Sequence, residues 1–371
     1  MAAPPTPRAR IAVVGAGING TMTAWALAER GHAVVLFDRG EPMAETSARS
    51  SRMLHGGLRY LAKLRIGMVR EALHERSWWR RQNTGLVREF RAHIPVRRGD
   101  LRTFLLFGAG VALYHLLAIG SGFEGSRWVG RRTLAERFPD LDTESLVGAW
   151  SYTDALMDDA GLGRWAVETL AKRGVEVRAH TPVAAVAADT VTLEDGTRLP
   201  FDAVVNATGP WTERLAATGL APGERAETGL MLVRGSHLLV RRSLEHAVVL
   251  PHVDGRILFF LPWSSDTAIL GTTDARQESP DTAEISEDER AELIAAHARW
   301  FRAALPDHDI SGAYSGLRPL VRSDTGTSGA SREAVLGTPG GVVTVYGGKW
   351  TTSRRLGQKV ADLVEKRLGG A

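Results

Sequence analysis

The sequence predicts an α/β fold in which a Rossmann-like dinucleotide-binding domain is interleaved with an α+β substrate domain built on a mostly antiparallel sheet. Three observations lead to this prediction. The chain opens with a strand, a glycine-rich turn and a helix; two later segments return to the same kind of sheet; and a series of short strands lies between them. At 371 residues the chain is long enough for two domains with sizeable cores.

The first strand ends in the turn G-x-G-x-x-G, formed by Gly15, Gly17 and Gly20, and residues 21–30 then predict a helix. The first glycine allows a tight turn, the second leaves room for a pyrophosphate, and the third lets the helix pack on the strand. The N-terminus of the helix presents free N–H groups and the positive end of its dipole to phosphates. The turn therefore predicts a dinucleotide site.

A second strand, 33–37, ends in Asp38, whose carboxylate is placed to accept hydrogen bonds from a ribose. Its distance from the glycine turn is close to the roughly 20 residues expected for this acid. The turn, the helix and the acid together make the prediction much more specific than the turn alone. They leave open whether the dinucleotide is a flavin or a nicotinamide.

Later segments favour the flavin. Residues 183–199 predict a hairpin that turns at 195–196, residues 201–206 predict a buried strand, and residues 342–346 predict a strand that leads through a glycine pair into a C-terminal helix. Between them, residues 230–270 predict several short antiparallel strands. A nicotinamide domain is usually contiguous along the chain, whereas an interleaved one suits a large flavin held along its whole length.

This pattern sets the predicted domain boundaries. We expect a disordered tail at 1–8, and the remaining ranges divide into an FAD-binding domain (9–95, 151–220 and 321–371) and a substrate or cap domain (96–150 and 221–320). Helices are also predicted over 64–91, 158–173 and 286–305.

Composition and charge narrow the classes of function. The formal net charge of +4 is modest and is carried mainly by arginine, which fits an anionic substrate or membrane surface and does not point to nucleic acid. The sequence has no cysteine, which excludes disulfides, thiolate metal sites and a catalytic thiol and is compatible with the cytoplasm. Its histidines lack metal-ligand spacing, so we expect no metal site.

The apolar segment 104–119 raises the question of a membrane. It is shorter than the roughly 20 residues that a spanning helix needs, and it contains His115. We expect a buried or half-buried helix, with interfacial membrane contact as the alternative. The Pro-rich lead 1–10 predicts no signal peptide. The expected location is the cytoplasm, with peripheral contact at the inner face of the membrane as the alternative.

Motifs along nearly the whole chain follow the order of one family. They are the glycine turn at 15–20, T-S-A-R-S-S-R-M-L-H-G-G-L-R-Y-L at 46–61, Tyr152 with D-D-A at 158–160, V-N-A-T-G-P-W at 205–211, G-S-H at 235–237, P-W at 262–263, G-T-T-D at 271–274, Y-S-G-L-R-P-L at 314–320 and G-G-K-W-T-T at 347–352. By these motifs the chain resembles the FAD-dependent glycerol-3-phosphate dehydrogenases, within the D-amino-acid-oxidase-like flavoprotein group.

Three features depart from the family pattern. The family usually continues with a helical C-terminal domain of about a hundred residues, and this sequence ends at Ala371. Ser353 precedes Arg354 where the family usually has a tyrosine, and Arg52 stands where a lysine is usual.

The resemblance implies the oxidation of sn-glycerol 3-phosphate, or a similar phosphorylated alcohol, to the ketone. A hydride would pass to flavin N5 and the electrons to a quinone or another acceptor. It makes His237 the base, because a histidine can accept the hydroxyl proton, with Arg318 and Lys349 as further catalytic residues. Substrate binding would use Arg59, Arg318 and Arg332, whose planar forks suit phosphate, together with Tyr60. A core histidine and structural ion pairs are the alternatives.

The resemblance also implies a set of FAD-binding residues drawn from across the chain. They are Gly15, Gly17, Asn19, Gly20, Asp38, Ser50, Ser51, His55, Gly56, Gly57, Val183, Ala207, Thr208, Gly209, Trp211, Gly347, Gly348, Lys349, Trp350 and Thr351. Two other functions stay open: a flavoenzyme of the same fold that acts on another alcohol or an amine, and a flavin-binding protein without catalysis. The arginines, His237 and Lys349 together argue against the latter.

Overall fold

The computed structural model describes residues 8–82, 84–220, 229–322 and 334–369. Apart from Arg8, the predicted tail at 1–8 lies outside these residues, and so does Arg332.

Strands are followed by helices near both ends of the chain, and most of the strands lie in its middle part. The strands are β1 (Arg10–Val14), β2 (Ala33–Phe37), β3 (Met53–Leu54), β4 (Val87–Arg97), β5 (Arg127–Gly130), β6 (Leu146–Met157), β7 (Glu176–Arg178), β8 (Val183–Val186), β9 (Thr190–Leu193), β10 (Arg198–Pro200), β11 (Ala203–Asn206), β12 (Leu230–Arg241), β13 (Ala247–Pro251), β14 (Ile257–Pro262), β15 (Thr267–Gly271), β16 (Ala275–Gln277), β17 (Ile310–Val321), β18 (Val335–Gly337) and β19 (Val343–Tyr346). The α-helices are α1 (Ile18–Glu29), α2 (Ile66–Arg81), α3 (Leu101–Ala118), α4 (Arg131–Arg137), α5 (Asp159–Lys172), α6 (Thr212–Ala217), α7 (Glu287–Ala298) and α8 (Ser353–Leu368). Short 3-10 helices cover Thr46–Ala48, Leu58–Lys63, Gly209–Trp211, Asp307–Asp309, Pro339–Gly341 and Trp350–Thr352.

The first sheet has six strands in the order β18-β19-β11-β1-β2-β7. All neighbours pair in parallel except β18 and β19, which are antiparallel. Strands from the start, the middle and the end of the chain therefore form one sheet. This confirms the predicted β-α-β opening and the predicted return of the chain to the same sheet.

Both faces of this sheet are covered, as the uninterrupted apolar sequence of β1 requires. Ile11 and Val13 face a core shared with α1, α5 and α8. Ala12 and Val14 face the opposite core, which the small sheet β10-β9-β8 and α6 cover. Side chains alternate between the two faces of a strand, so four consecutive apolar residues serve two cores.

The second sheet has ten strands: β16-β12-β15-β14-β13-β4-β6-β3 in order, with β17 also paired to β12 and β5 to β6. Its pairs are antiparallel except β13 with β4. One face packs on α4 and α7, and the other packs partly on α2 and α3. The mostly antiparallel second sheet is thus confirmed.

Two predicted helices end earlier than expected. The helix predicted over 64–91 stops at Arg81, because a turn with left-handed Gly85 redirects the chain into β4. The helix predicted over 286–305 stops at Ala298, and the aromatic side chains of Trp300 and Phe301 then turn into the core beneath α7.

Three predicted domain boundaries fall inside strands of the larger sheet, and the one at 320/321 separates only the last residue of β17. The limit at 95/96 divides β4, and the limit at 150/151 divides β6, although these strands pair with each other along their length. Strand pairing therefore places all of β4 and β6 with the second sheet.

The segment predicted as a buried or half-buried helix forms α3, in which 8 of the 18 residues are exposed. Only Val111 and Tyr114 of its described residues are buried, and Leu101, Leu105 and Leu116 are each more than half exposed. Within the described part of the chain, α3 has the length and apolar composition that crossing a membrane requires, a test that core helices of soluble proteins also pass. α3 is therefore half-buried, one of the two forms expected, because it packs on its neighbours along one stripe.

Candidate active site

A single cavity of about 760 Å³ lies between the two sheets and brings most of the predicted residues together. The predicted cofactor residues that line it are Gly15, Gly17, Asn19, Asp38, Ser50, Ser51, His55, Gly57, Val183, Ala207, Thr208, Gly209, Trp211, Gly347, Gly348, Lys349, Trp350 and Thr351. Arg59, Tyr60, His237 and Arg318 line the same cavity.

The turn after β1 is shaped for the close approach of a ligand. Gly15 is left-handed, with φ +99°, and a Cβ there would lie 2.6 Å from the Ala207 carbonyl oxygen. A Cβ on Gly20 would overlap the Gly15 carbonyl oxygen, so Gly20 supports the turn from behind the cavity wall. The turn ends at the N-terminus of α1, where no acidic residue opposes an anion. These features fit a pyrophosphate.

Asp38 closes the nucleotide end of the cavity. Its Oδ2 accepts a hydrogen bond of 2.7 Å from the Ala16 N–H, and its Oδ1 accepts one of 3.0 Å from the Gly40 N–H. Burial raises the pKa of this carboxyl, against the opposing effect of the two backbone donors. Each carboxylate oxygen keeps a lone pair, which fits the predicted contact with a ribose hydroxyl.

The far end of the cavity is closed by three chain segments tied to one another. The Asn19 side-chain amide donates to the Gly347 carbonyl at 3.0 Å. The His55 N–H donates to the Thr351 hydroxyl at 3.2 Å, and the Trp350 indole donates to the Ser47 carbonyl at 2.8 Å. The glycine turn, residues 46–57 and the C-terminal turn therefore form one wall.

Gly56 lies behind this wall. Its N–H donates to the Tyr114 hydroxyl at 2.9 Å and to Asp154 Oδ1 at 3.2 Å. Asp154 Oδ1 also accepts a hydrogen bond of 2.5 Å from Arg76 Nη1. Burial raises the pKa of Asp154, and the charge of Arg76 opposes that shift. The sequence did not predict a role for Arg76, Tyr114 or Asp154, because nothing in their spacing indicates that they are in contact.

The two predicted serine hydroxyls point to protein partners. The Ser50 hydroxyl donates to Asp159 Oδ2 at 2.8 Å, and its N–H donates to the same oxygen at 2.9 Å. The Ser51 hydroxyl lies 2.9 Å from His237 Nε2. Ser51 therefore connects the segment predicted for the cofactor to the residue predicted as the base.

His237 is only 3% exposed and lines the cavity. Its ring stacks on Tyr314, with ring centroids 4.6 Å apart and planes 11° apart, because the two residues are directly opposite in the pair β12–β17. Burial, and then the positive charges of Arg318 and Arg52, lower the pKa of His237 to about 3. The imidazole is therefore neutral at physiological pH.

Arg318 lies beside His237 with its guanidinium partly open to the cavity. Its Nη2 donates to the Thr273 carbonyl at 2.6 Å and forms an ion pair of 2.8 Å with Asp274. A Cβ on Gly235 would lie 2.5 Å from the same nitrogen, so this glycine makes room for the guanidinium. Asp274 also lines the cavity; its motif was noted in the sequence, but its role as the partner of Arg318 was not.

Further positive charge lies at the mouth. Arg59 is exposed there, and Lys349 Nζ lies 4.6 Å above the ring of Tyr60. Arg256, which the sequence analysis missed, also lines the cavity and pairs with Asp254 and Glu292. Among the residues that the structure describes, no three His, Asp or Glu side chains are grouped to hold a metal ion.

A glycine turn at a helix N-terminus, an acid for a ribose and a buried neutral histidine beside an arginine define the class of the protein. It is a dinucleotide-dependent oxidoreductase. The interleaved sheet and the wall formed by segments from both ends of the chain fit a flavin dinucleotide.

Comparison with known proteins gives the family. Residues 10–363 match the family described as FAD dependent oxidoreductase. The chain is 33% identical over 368 residues to a glycerol-3-phosphate dehydrogenase of Pseudomonas tolaasii, covering 94% of this chain and 70% of that protein. It is 32% identical over 364 residues to a D-erythritol 1-phosphate dehydrogenase of Brucella abortus, covering 94% of this chain and 72% of that protein. The chain therefore belongs to the FAD dependent oxidoreductase family, and its cofactor is FAD.

A solved structure supports the fold. The glycerol-3-phosphate dehydrogenase of Bacillus halodurans, solved in complex with FAD, superposes with a TM-score of 0.74 at 23% identity. The match covers 97% of this chain and 65% of that one. The present chain thus spans somewhat less than two thirds of that protein.

Proposed function

We propose that the protein oxidises a phosphorylated secondary alcohol, with sn-glycerol 3-phosphate as the first candidate, to the corresponding ketone. The observation that carries this proposal is the position of His237 beside Arg318 in the same cavity as the dinucleotide turn. A neutral base and a fixed guanidinium suit an anionic alcohol. Both relatives described above are named for phosphorylated polyols.

In the proposed reaction the hydroxyl group of the alcohol gives its proton to His237, and the carbon that bears this hydroxyl loses a hydride. A carbonyl forms at that carbon. FAD, when bound, supplies the acceptor for the two electrons. Arg318 and Arg59 bind the phosphate, and Arg332, which lies outside the described residues, is proposed as a third ligand. The ring of Tyr60 packs beneath the ammonium of Lys349, which supports a role for that charge next to the substrate.

Anaerobic titration tests the substrate. The purified protein carrying FAD is mixed with sn-glycerol 3-phosphate without oxygen, and the visible band of the oxidised flavin is followed. We expect the band to bleach, and D-erythritol 1-phosphate serves as the longer comparison. Bleaching by unphosphorylated alcohols or by amines alone would contradict the phosphate requirement and support the alternative flavoenzyme.

We also propose that the two electrons pass to a quinone at a membrane surface that α3 contacts. At 1.5 Å per residue, the 18 residues of α3 extend about 27 Å. Its exposed leucines form an apolar strip, and the exposed Arg98 and Arg102 flank its N-terminus. Apolar area together with cations supports binding to an anionic lipid surface.

Vesicle flotation tests this contact. We expect the protein to float with vesicles that contain phosphatidylglycerol and to float less with phosphatidylcholine alone. The double substitution Leu105→Gln and Leu116→Gln should abolish flotation, whereas Val335→Gln, which changes an exposed side chain on β18 of the first sheet, should not. Equal flotation of all three proteins would refute the role of α3.

A further inference from the structure

Glu289 lies on the first turn of α7 and is only 5% exposed. Its Oε2 accepts hydrogen bonds from the Ser286 N–H at 3.0 Å and from Arg234 Nε at 2.9 Å. The first of these bonds completes a capping box at the start of the helix. If this carboxylate only capped α7, its second oxygen would face solvent.

The second oxygen instead faces β12 and the loop that follows β15. Glu289 Oε1 accepts a hydrogen bond of 2.8 Å from the Ser236 hydroxyl and one of 2.7 Å from the Thr273 hydroxyl. Ser236 and Thr273 are themselves linked, because the Ser236 N–H donates to the Thr273 hydroxyl at 2.9 Å. One buried oxygen therefore joins β12 to the loop that follows β15.

Each of these two contacts is one step from a proposed catalytic group. Ser236 immediately precedes His237 on β12. The carbonyl of Thr273 accepts the 2.6 Å hydrogen bond from Arg318, and the next residue, Asp274, forms the ion pair with it. The position of the base and that of the guanidinium thus depend on the same carboxylate.

The charge of Glu289 is well supported. Burial alone would raise its pKa, but the donors Thr273, Ser286, Arg234 and Ser236 outweigh it and lower the pKa below its ordinary value. The side chain is therefore a carboxylate at neutral pH, with Arg234 Nη2 2.7 Å from Oε2. A buried carboxylate with this many partners holds its neighbours rigidly, because breaking any one contact leaves a buried polar group unpaired.

We propose that Glu289 is a positioning residue that sets the distance between His237 and Arg318. The proposal rests on the proposed function for the roles of those two residues. Glu289 itself does not line the cavity, so it acts through Ser236 and Thr273.

The test compares Glu289→Gln with two controls on the same helix. Ser286→Ala removes the helix cap but leaves both contacts of Oε1, and Glu287→Gln removes an exposed charge from the same turn. We expect Glu289→Gln to raise KM for sn-glycerol 3-phosphate at least tenfold and to lower kcat while keeping its FAD. The two controls should stay within twofold of the original protein in both parameters.

A second measurement separates this proposal from the proposed function. Inorganic phosphate is titrated into each FAD-loaded protein, and the shift of its thermal midpoint gives a dissociation constant. We expect Glu289→Gln to weaken phosphate binding at least tenfold, even if sn-glycerol 3-phosphate proves not to be the substrate. Unchanged phosphate binding and unchanged KM in this variant would overturn the proposal. An equal loss in Ser286→Ala, or a lack of phosphate response in the original protein, would overturn it as well.

Discussion

The Tyr114 hydroxyl donates a 2.6 Å hydrogen bond to Asp154 Oδ1. Tyr114 belongs to the partly exposed helix α3, whereas Asp154 belongs to β6 and lines the cavity. Gly56 lies between them, with its N–H within hydrogen-bond distance of both side chains. The helix proposed to contact lipid is thus joined directly to the turn proposed to face the flavin.

Tyr114→Phe should loosen this junction. The substitution removes the hydroxyl and leaves the buried Asp154 with one donor fewer, so we expect a loss of about 1–3 kcal/mol in the free energy of unfolding. FAD should also dissociate faster, because the 55–57 turn loses a support. Urea unfolding and the rate of flavin release measure the two effects. Ser77→Ala, which removes a buried hydroxyl that donates to the Leu73 carbonyl of its own helix and to the Ser121 carbonyl, should not change flavin release.

Arg52→Gln should shift the pH dependence of catalysis. The Arg52 guanidinium lies 5.1 Å from the ring centroid of Tyr314, which stacks on His237, and its charge helps to lower the pKa of that histidine to about 3. Removing the charge raises the pKa, so the base becomes protonated at a higher pH and the acid limb of kcat/KM moves upward.

Other groups around His237 set the control for this experiment. Arg318 contributes more to the lowered pKa than Arg52 does, Ser51 contacts Nε2, and the buried Asp159 lies 3.7 Å from the Arg52 guanidinium. Arg52→Lys keeps the charge and should leave the acid limb near its original position. An acid limb that does not move in Arg52→Gln would show that another group controls it.

Arg318→Ala should separate substrate binding from cofactor binding. Loss of a charged hydrogen-bond donor costs about 1.5–3 kcal/mol, so we expect KM to rise roughly 10- to 150-fold. FAD should remain bound, because Arg318 lies on β17, away from the glycine turn. Flavin content and steady-state kinetics measure both. Loss of flavin from the variant would contradict the assigned role.

Stability should fall as the pH falls below about 6.5. Burial lowers the pKa of His93 to about 3, of His237 to about 3 and of His297 to about 4, so the unfolded chain binds protons that the folded protein does not. All three histidines are neutral in both states above the pKa that they have in the unfolded chain. Below that pKa, each lowers the free energy of unfolding by about 1.4 kcal/mol per pH unit.

Urea unfolding at pH 7 and pH 5 measures this loss. His297 is the most useful of the three to replace, because it stacks on Phe301 away from the cavity and neither ring nitrogen hydrogen-bonds within the described residues. His297→Phe should therefore reduce the difference between the two pH values by about 2 kcal/mol. A difference that stays the same would mean that His297 is protonated in the folded state.

Several parts of the fold could be predicted from local sequence. The four apolar residues 11–14 predicted a strand, and Gly15, Gly20 and Asp38 predicted the turn and the acid that follow. Which side chains of α3 are exposed and which are covered could not be predicted in this way. Its composition is apolar all round, and only the packing of its neighbours decides which residues are covered.

The sequence by itself determined the glycine turn, the acid, the apolar strand β1 and the motifs that place the chain in its family. These features depend on residues close together in the chain, where backbone geometry and side-chain periodicity link sequence to structure directly. Only the tertiary structure decided that His237 stacks on Tyr314, that Asp154 supports Gly56, and that Glu289 joins the base to the arginine. Such contacts depend on strand register and on packing between segments 50 to 100 residues apart, and sequence spacing encodes neither.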